Sequence, residues 1–221
     1  YSNAKIASLA FADLVKSDVE LKDGKTFVDF DYGQYNMKAL PVQPIAEYTI
    51  GVVDHEFKTV DSLKNLRLRS SGRAHEIFIT NLGSTPVSMP FSEEFEALSR
   101  GVIDGTVRAV SDYGPYGFDQ LLTNALSGVY MGHFPFITLI SMDKWESLPE
   151  DVRTVMEEAA YELAESDLKL EIQEESIEKA KEKGIKFTDL SQLDPKAQAF
   201  IADSAVKTWK EWIDSKEKEG A

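Results

Sequence analysis

Between Leu66 and Gly105 the chain alternates short apolar runs with helical stretches of about ten residues, and this rhythm restricts the fold more than any other feature. Leu66, Leu68 and their neighbours predict a strand, and residues 73–82 (RAHEIFITNL) predict a helix stopped by Gly83. Thr85-Pro86-Val87-Ser88-Met89 predicts the next strand. Ser92 is placed as an N-cap, with Glu93 and Glu94 in the first turn, where negative charge suits the helix dipole. That helix runs to Arg100 and stops at Gly101, and Val102-Ile103 opens a further strand. Strands alternating with helices of this length predict an α/β fold with a largely parallel sheet.

The flanking segments extend the pattern. Residues 4–16 carry Ile6, Leu9, Ala10, Leu14 and Val15 at helical spacing and predict an amphipathic helix. After the turn signal Lys22-Asp23-Gly24, Thr26-Phe27-Val28-Asp29-Phe30 only partly alternates and is read as a short strand or strand-like loop. Tyr48-Thr49-Ile50-Gly51-Val52-Val53 is β-branched and reads as a strand. The apolar run beyond Gly128, broken by Pro135, reads as strand plus bend up to Met142. Pro149-Glu150-Asp151 opens a helix continuing through Ile177 and Ala180 to Gly184. Uninterrupted, it would be on the order of 50 Å long, enough to lie across two lobes. A brief strand at Ile185-Lys186-Phe187 and a terminal helix opened by Pro195 complete the chain, with a solvated charged tail at Lys216-Glu217-Lys218-Glu219.

Composition narrows the function. Lys and Arg number 24 against 38 Asp and Glu, a formal charge of −14, which disfavours a nucleic-acid partner because phosphate neutralisation needs clustered cations. Cysteine is absent, so disulfides, zinc–thiolate sites and a cysteine nucleophile are excluded. No apolar run is long enough to span a bilayer, so the chain is not expected to be embedded in a membrane. Its start, Tyr1-Ser2-Asn3-Ala4, shows no signal peptide and no initiating Met, and is read as lying downstream of a translation start. The sequence contains no GxGxxG, Walker loop, HExxH or GxSxG, and its three histidines, His55, His75 and His133, have no helical pair spacing. Neither a metal site, a cofactor nor a catalytic residue is assigned on these grounds.

Four motifs then stand in order: Asp61-Ser62-Leu63-Lys64-Asn65-Leu66-Arg67-Leu68-Arg69; Leu82-Gly83-Ser84-Thr85-Pro86-Val87 leading to Phe91-Ser92-Glu93; Ala97-Leu98-Ser99-Arg100-Gly101-Val102-Ile103-Asp104-Gly105; and Trp145-Glu146-Ser147-Leu148-Pro149-Glu150-Asp151. This order and spacing resembles the solute-binding proteins of tripartite ATP-independent periplasmic (TRAP) transporters, the DctP-like family. The resemblance covers residues 45 to 215 well and the first forty loosely. It implies a two-lobed periplasmic-binding-protein-like α/β fold with a hinge cleft, a long helix spanning both lobes and the first part of lobe one missing. Lobe one is assigned to residues 1–47 and 132–172, lobe two to 48–131 and 173–200, and a C-terminal helix to 201–221.

The resemblance also implies a ligand and a partner. The family's ligands are mostly small organic carboxylates gripped by an arginine that maps onto Arg69, and a guanidinium fork matches a carboxylate with two parallel hydrogen bonds. Arg108 reads either as a second anion contact or as an ion pair with a neighbouring acid such as Asp112. Phe91 packs either on the ligand body or in the core. Tyr48 offers a hydroxyl where some relatives use an additional arginine. His133, flanked by Phe134 and Phe136, is a ligand contact or a buried, satisfied side chain. Tyr113 belongs with Tyr116 and Phe118 to an aromatic cluster that lines the cleft or packs a loop. The implied function is a periplasmic receptor that closes on a small organic acid and presents it to TRAP membrane permease subunits. The alternatives are an enzyme acting on a small acid in the same cleft and a sensor domain.

Overall fold

The chain divides into two compact units, Tyr1–Ala46 with His133–Ile172 and Glu47–Gly132 with Gln173–Ala221. The computed structural model describes residues 4–21, 24–41, 47–129, 131, 134 and 136–218.

In the first unit, α1 (Ala4–Lys16) and α2 (Phe27–Asp31) precede β1 (Met37–Pro41), which pairs antiparallel with β7 (Ile137–Ser141); α5 (Met142–Glu146) and α6 (Glu150–Glu165) follow. Residues 27–31 are helical where a short strand or strand-like loop was expected. Thr26 and Asp29 form a capping box: the Thr26 hydroxyl accepts from the Asp29 backbone N–H while the Asp29 carboxylate accepts from that of Thr26. This reciprocal pairing satisfies two otherwise orphaned donors, a local signal stronger than the partial alternation of the apolar residues. Lys38 anchors β1 to α6 through Glu157 at 2.5 Å and lies over the Trp145 ring at 5.1 Å.

The expected single helix from 150 to 183 is two helices. α6 ends at Glu165, Ser166 is extended (φ −72, ψ 161), and α7 (Leu168–Glu182) begins after it. The Ser166 hydroxyl donates to the Leu163 carbonyl, one of the local side-chain bonds by which serine competes with the helical ladder. With 16 and 15 residues, the helices are roughly 24 and 22 Å long rather than one rod of 50 Å. The division between the two units falls within α7.

The second unit is built on a six-stranded sheet in the order β4-β3-β5-β2-β6-β8: Thr85–Ser88, Arg67–Ser70, Gly105–Ala109, Tyr48–Val52, Asn124–Ser127 and Lys186–Asp189. Strands β4, β3 and β5 run parallel, β2 is antiparallel to β5 and β6, and β6 runs parallel to β8. The sheet is therefore mixed, with one reversed strand at its centre. Every residue of β2 and β5 is buried, so both faces of the sheet are covered, as expected of an α/β layer. α3 (Arg73–Asn81) packs on β3 and β4 and against α8 (Pro195–Lys218), with Asn81 bonded to Thr208 at 3.1 Å. α8 is one helix, a part of this unit rather than a separate tail.

The helix α4 (Phe91–Ser99) is capped at Pro90, not Ser92, which lies inside its first turn. Val102 and Ile103 sit in the following turn, and β5 starts only at Gly105. Asp104 fixes that turn to β3: its carboxylate takes the backbone N–H of Arg67 at 2.7 Å and the Arg67 side chain at 3.0 Å and 2.5 Å.

Candidate functional site

Sheet register brings the chemistry together. Arg69 on β3 is paired with Thr106 on β5, and Arg108, two residues further along β5, is paired with Thr49 on β2. Paired residues share a face and residues two apart on a strand share a face, so all four side chains point to one side of the sheet. α4 presents Glu94 to that side. Leu98 is buried on α4, and Glu94, one helical turn earlier, is fully buried with it.

A buried carboxylate needs its lone pairs filled. Glu94 Oε1 accepts from Thr106 Oγ1 at 2.5 Å and Arg108 Nε at 3.0 Å; Oε2 accepts from Arg108 Nη2 and lies 3.3 Å from Arg69 Nε. The Arg108–Glu94 contact is the bidentate fork in which guanidinium and carboxylate match best. Arg108 Nη1 donates to Asp112 at 2.8 Å, and its Cζ lies 4.3 Å from the Phe91 ring centroid and 5.1 Å from that of Phe118. Burial pulls the Arg108 pKa down, but the bonds and charges of Glu94 and Asp112 more than offset this and leave it raised.

Arg69 is held differently. Nη1 donates to Ser71 Oγ at 2.8 Å, and Ser71 Oγ donates in turn to the Val107 carbonyl at 3.0 Å. Its side chain is 11% exposed, and among the described residues no hydrogen bond is made to its Nη2 or Nε. Burial lowers its pKa, the nearby Glu94 charge opposes that shift, and the Arg108 charge adds to it. It is a fixed, partly desolvated cation with donors to spare, at the carboxyl end of a strand, where open α/β sheets bind ligands.

Arg69, Arg108 and Phe91 thus meet in one cluster, and Phe91, 40% exposed, sits edge-on to Tyr116 at 4.6 Å. The structure gives Arg108 the ion-pair alternative, with both Glu94 and Asp112 as partners. Tyr48 is buried, and burial followed by the Asp112 charge raises its pKa. Tyr113 is packed in the core, its hydroxyl bonded to Thr49 at 2.7 Å, so it does not line an open surface. His133 lies outside the described residues. Sequence reasoning missed Glu94 and Ser71. For Glu94 the one local signal is its helical register with buried Leu98, which does not identify its partners.

His75 packs against Tyr48 at 5.0 Å and shares a 3.2 Å bond between Nε2 and the Met131 carbonyl. Burial, opposed by that bond and reinforced by the Arg69 charge, pushes its pKa down to about 4. The folded state therefore binds fewer protons than the unfolded chain between about pH 6.5 and 4, so His75 contributes its full stability above that window. As pH falls through it, this contribution is lost. Urea midpoints for wild type and His75→Leu should diverge in slope over that range, whereas parallel pH profiles would show that the pKa of His75 is the same in the folded and unfolded states.

The model of the family of bacterial extracellular solute-binding proteins called DctP, family 7, matches residues 23–213. The chain belongs to the DctP family. This DctP-family chain is 31% identical over 103 residues to the C4-dicarboxylate-binding periplasmic protein of Rhodobacter capsulatus, a match covering 46% of the chain and 31% of that protein. A TRAP periplasmic solute-binding protein from Desulfovibrio salexigens superposes with a TM-score of 0.77 at 25% identity, over 100% of this chain and 65% of that one. A marine-metagenome TRAP solute-binding protein specific for aromatic acids, in complex with 3-hydroxybenzoate, gives 0.80 at 23% identity, over 100% and 67%, a likeness of fold. The DctP-family chain thus spans about two thirds of the solved proteins it resembles and less of the curated one. Among the described residues no helix is long and apolar enough to cross a membrane.

Proposed function

We propose that this chain is the carboxylate-gripping portion of a periplasmic TRAP receptor that binds a small organic acid and delivers it to membrane permease subunits, without catalysing a reaction. One observation carries the reading: the Arg69 guanidinium, immobilised through Nη1 by Ser71 and flanked at Nε by Glu94, has no hydrogen bond to its Nη2 among the described residues, near the carboxyl end of β3. A planar donor fork held in place loses little freedom on meeting a carboxylate, which favours affinity. Phe91 and Tyr116, half-exposed beside Arg108, supply an apolar surface for the body of such an acid. The enzyme alternative draws no support from a family of transport receptors.

The test is thermal denaturation of the chain against a panel of small carboxylic acids. At a hundredfold excess over Kd a ligand adds about 2.7 kcal/mol. Each kcal/mol moves the midpoint roughly 2–4 °C in a chain of this size, so a shift of several degrees is expected. Arg69→Ala should abolish the shift; a shift that survives the substitution removes Arg69 from the site.

A further inference from the structure

We infer, building on that reading, that the Glu94–Arg108–Asp112 network sets the charge of the ligand: the site on the second unit takes a monocarboxylate and discriminates against a dicarboxylate. Two arginines side by side suggest a receptor for two acid groups. Their wiring contradicts this. Arg108 presents its Nε/Nη2 edge to Glu94 and its Nη1 to Asp112, so each side from which an incoming carboxylate would approach already holds one. Two aromatic rings crowd it further, with the Phe91 and Phe118 centroids 4.3 and 5.1 Å from its Cζ.

The charges balance before any ligand arrives: Arg69 and Arg108 against Glu94 and Asp112. A first carboxylate meets the open donors of Arg69, whose Nη1 is bonded only to the neutral hydroxyl of Ser71. A second would find no open cation beside it among the described residues of β3, β5 and α4, and would sit near Glu94 and Asp112 in a partly desolvated setting where like charges repel strongly. The other basic side chains of β3 and of the first turn of α3 are also paired, Arg67 with Asp104 and Arg73 with Glu76. Glu94 is therefore a positioning residue with a second effect: it orients both guanidinium groups and removes one of them from ligand binding.

Butanoate and succinate share a four-carbon chain and differ by one carboxylate, so calorimetric titration of the chain with each, near neutral pH, isolates the inference. Wild type should bind butanoate at least about tenfold tighter than succinate. Asp112→Asn removes the negative charge opposite Arg108 Nη1, leaving a neutral amide that a carboxylate can displace, without touching the buried Glu94 fork, and should shift the ratio about tenfold towards succinate. Glu94→Gln should shift it further where that variant folds. Tighter binding of succinate by wild type would overturn the inference and leave the carboxylate receptor standing, and so would an unchanged ratio in folded Asp112→Asn. Binding of neither acid, nor of any other carboxylate, would overturn the receptor reading and this inference with it.

Discussion

Glu94→Ala is expected to cost on the order of 3–5 kcal/mol of folding stability, the range for removing one member of a buried ion pair. The carboxylate is fully buried, hydrogen-bonded by Thr106 and Arg108 of β5 and ion-paired at 3.3 Å with Arg69 of β3. Without it, the Arg108 side chain, 7% exposed, keeps only Asp112, and Arg69 faces another cation across the vacated space. The loss comes mainly from the charges left behind. Replacing Glu94 and Arg108 together by apolar residues of similar size, as in Glu94→Leu with Arg108→Met, should accordingly restore at least half of it, because both desolvation penalties vanish. Urea denaturation of Glu94→Leu, Arg108→Met and the double gives the cycle directly. A cost below about 1 kcal/mol for Glu94→Ala would mean that water, not protein, compensates the arginines, since that is the range of exposed pairs.

That network also shows what the sequence could reveal. The alternation of strand and helix between residues 66 and 109 is a local property, and the structure has it, with limits displaced by a few residues at Ser92 and Val102 where turn geometry decides. The motif ending in Arg69 could be recognised because strand termini and their cation are contiguous in sequence. The partner of that cation was hidden for the opposite reason. Glu94 meets Arg69 of β3 and Arg108 of β5 through a β-register that no local pattern encodes, and an acid in a first helical turn is ordinarily solvated. The reversed central strand β2 was equally out of reach, since strand direction is set by pairing partners far along the chain. The break at Ser166 was legible in principle, a Ser-Asp pair inside an apolar periodicity, but propensity alone weighs too little against a long run of helix formers.

Gly105→Ala carries the second large expectation, and it explains physically why glycine follows Asp104 in the third motif. A Cβ at position 105 would lie 2.3 Å from the Gly51 carbonyl oxygen, 2.7 Å from Val52 Cγ1 and 3.0 Å from Leu68 Cδ2. The closest of these is backbone, so no rotamer change relieves the clash; β2 and β5 must separate. Overpacking of this kind costs about 1–3 kcal/mol and occasionally more, and a main-chain obstacle puts it at the upper end, about 3 kcal/mol. Gly101→Ala is the control. It has open space around its Cβ but a φ of +66, so it should lose only about 1 kcal/mol, by strain alone. The two substitutions also differ in reach. Gly105 is held between Asp104, bonded to Arg67, and Thr106, bonded to Glu94, in the strand that carries Arg108. Displacing β5 there changes the distance between the two arginines, so folded Gly105→Ala should bind carboxylates more weakly than wild type, while Gly101→Ala should bind them equally. Equal affinity in both variants would show that the arginine spacing is set by α4 alone and not by the close approach of β2 to β5.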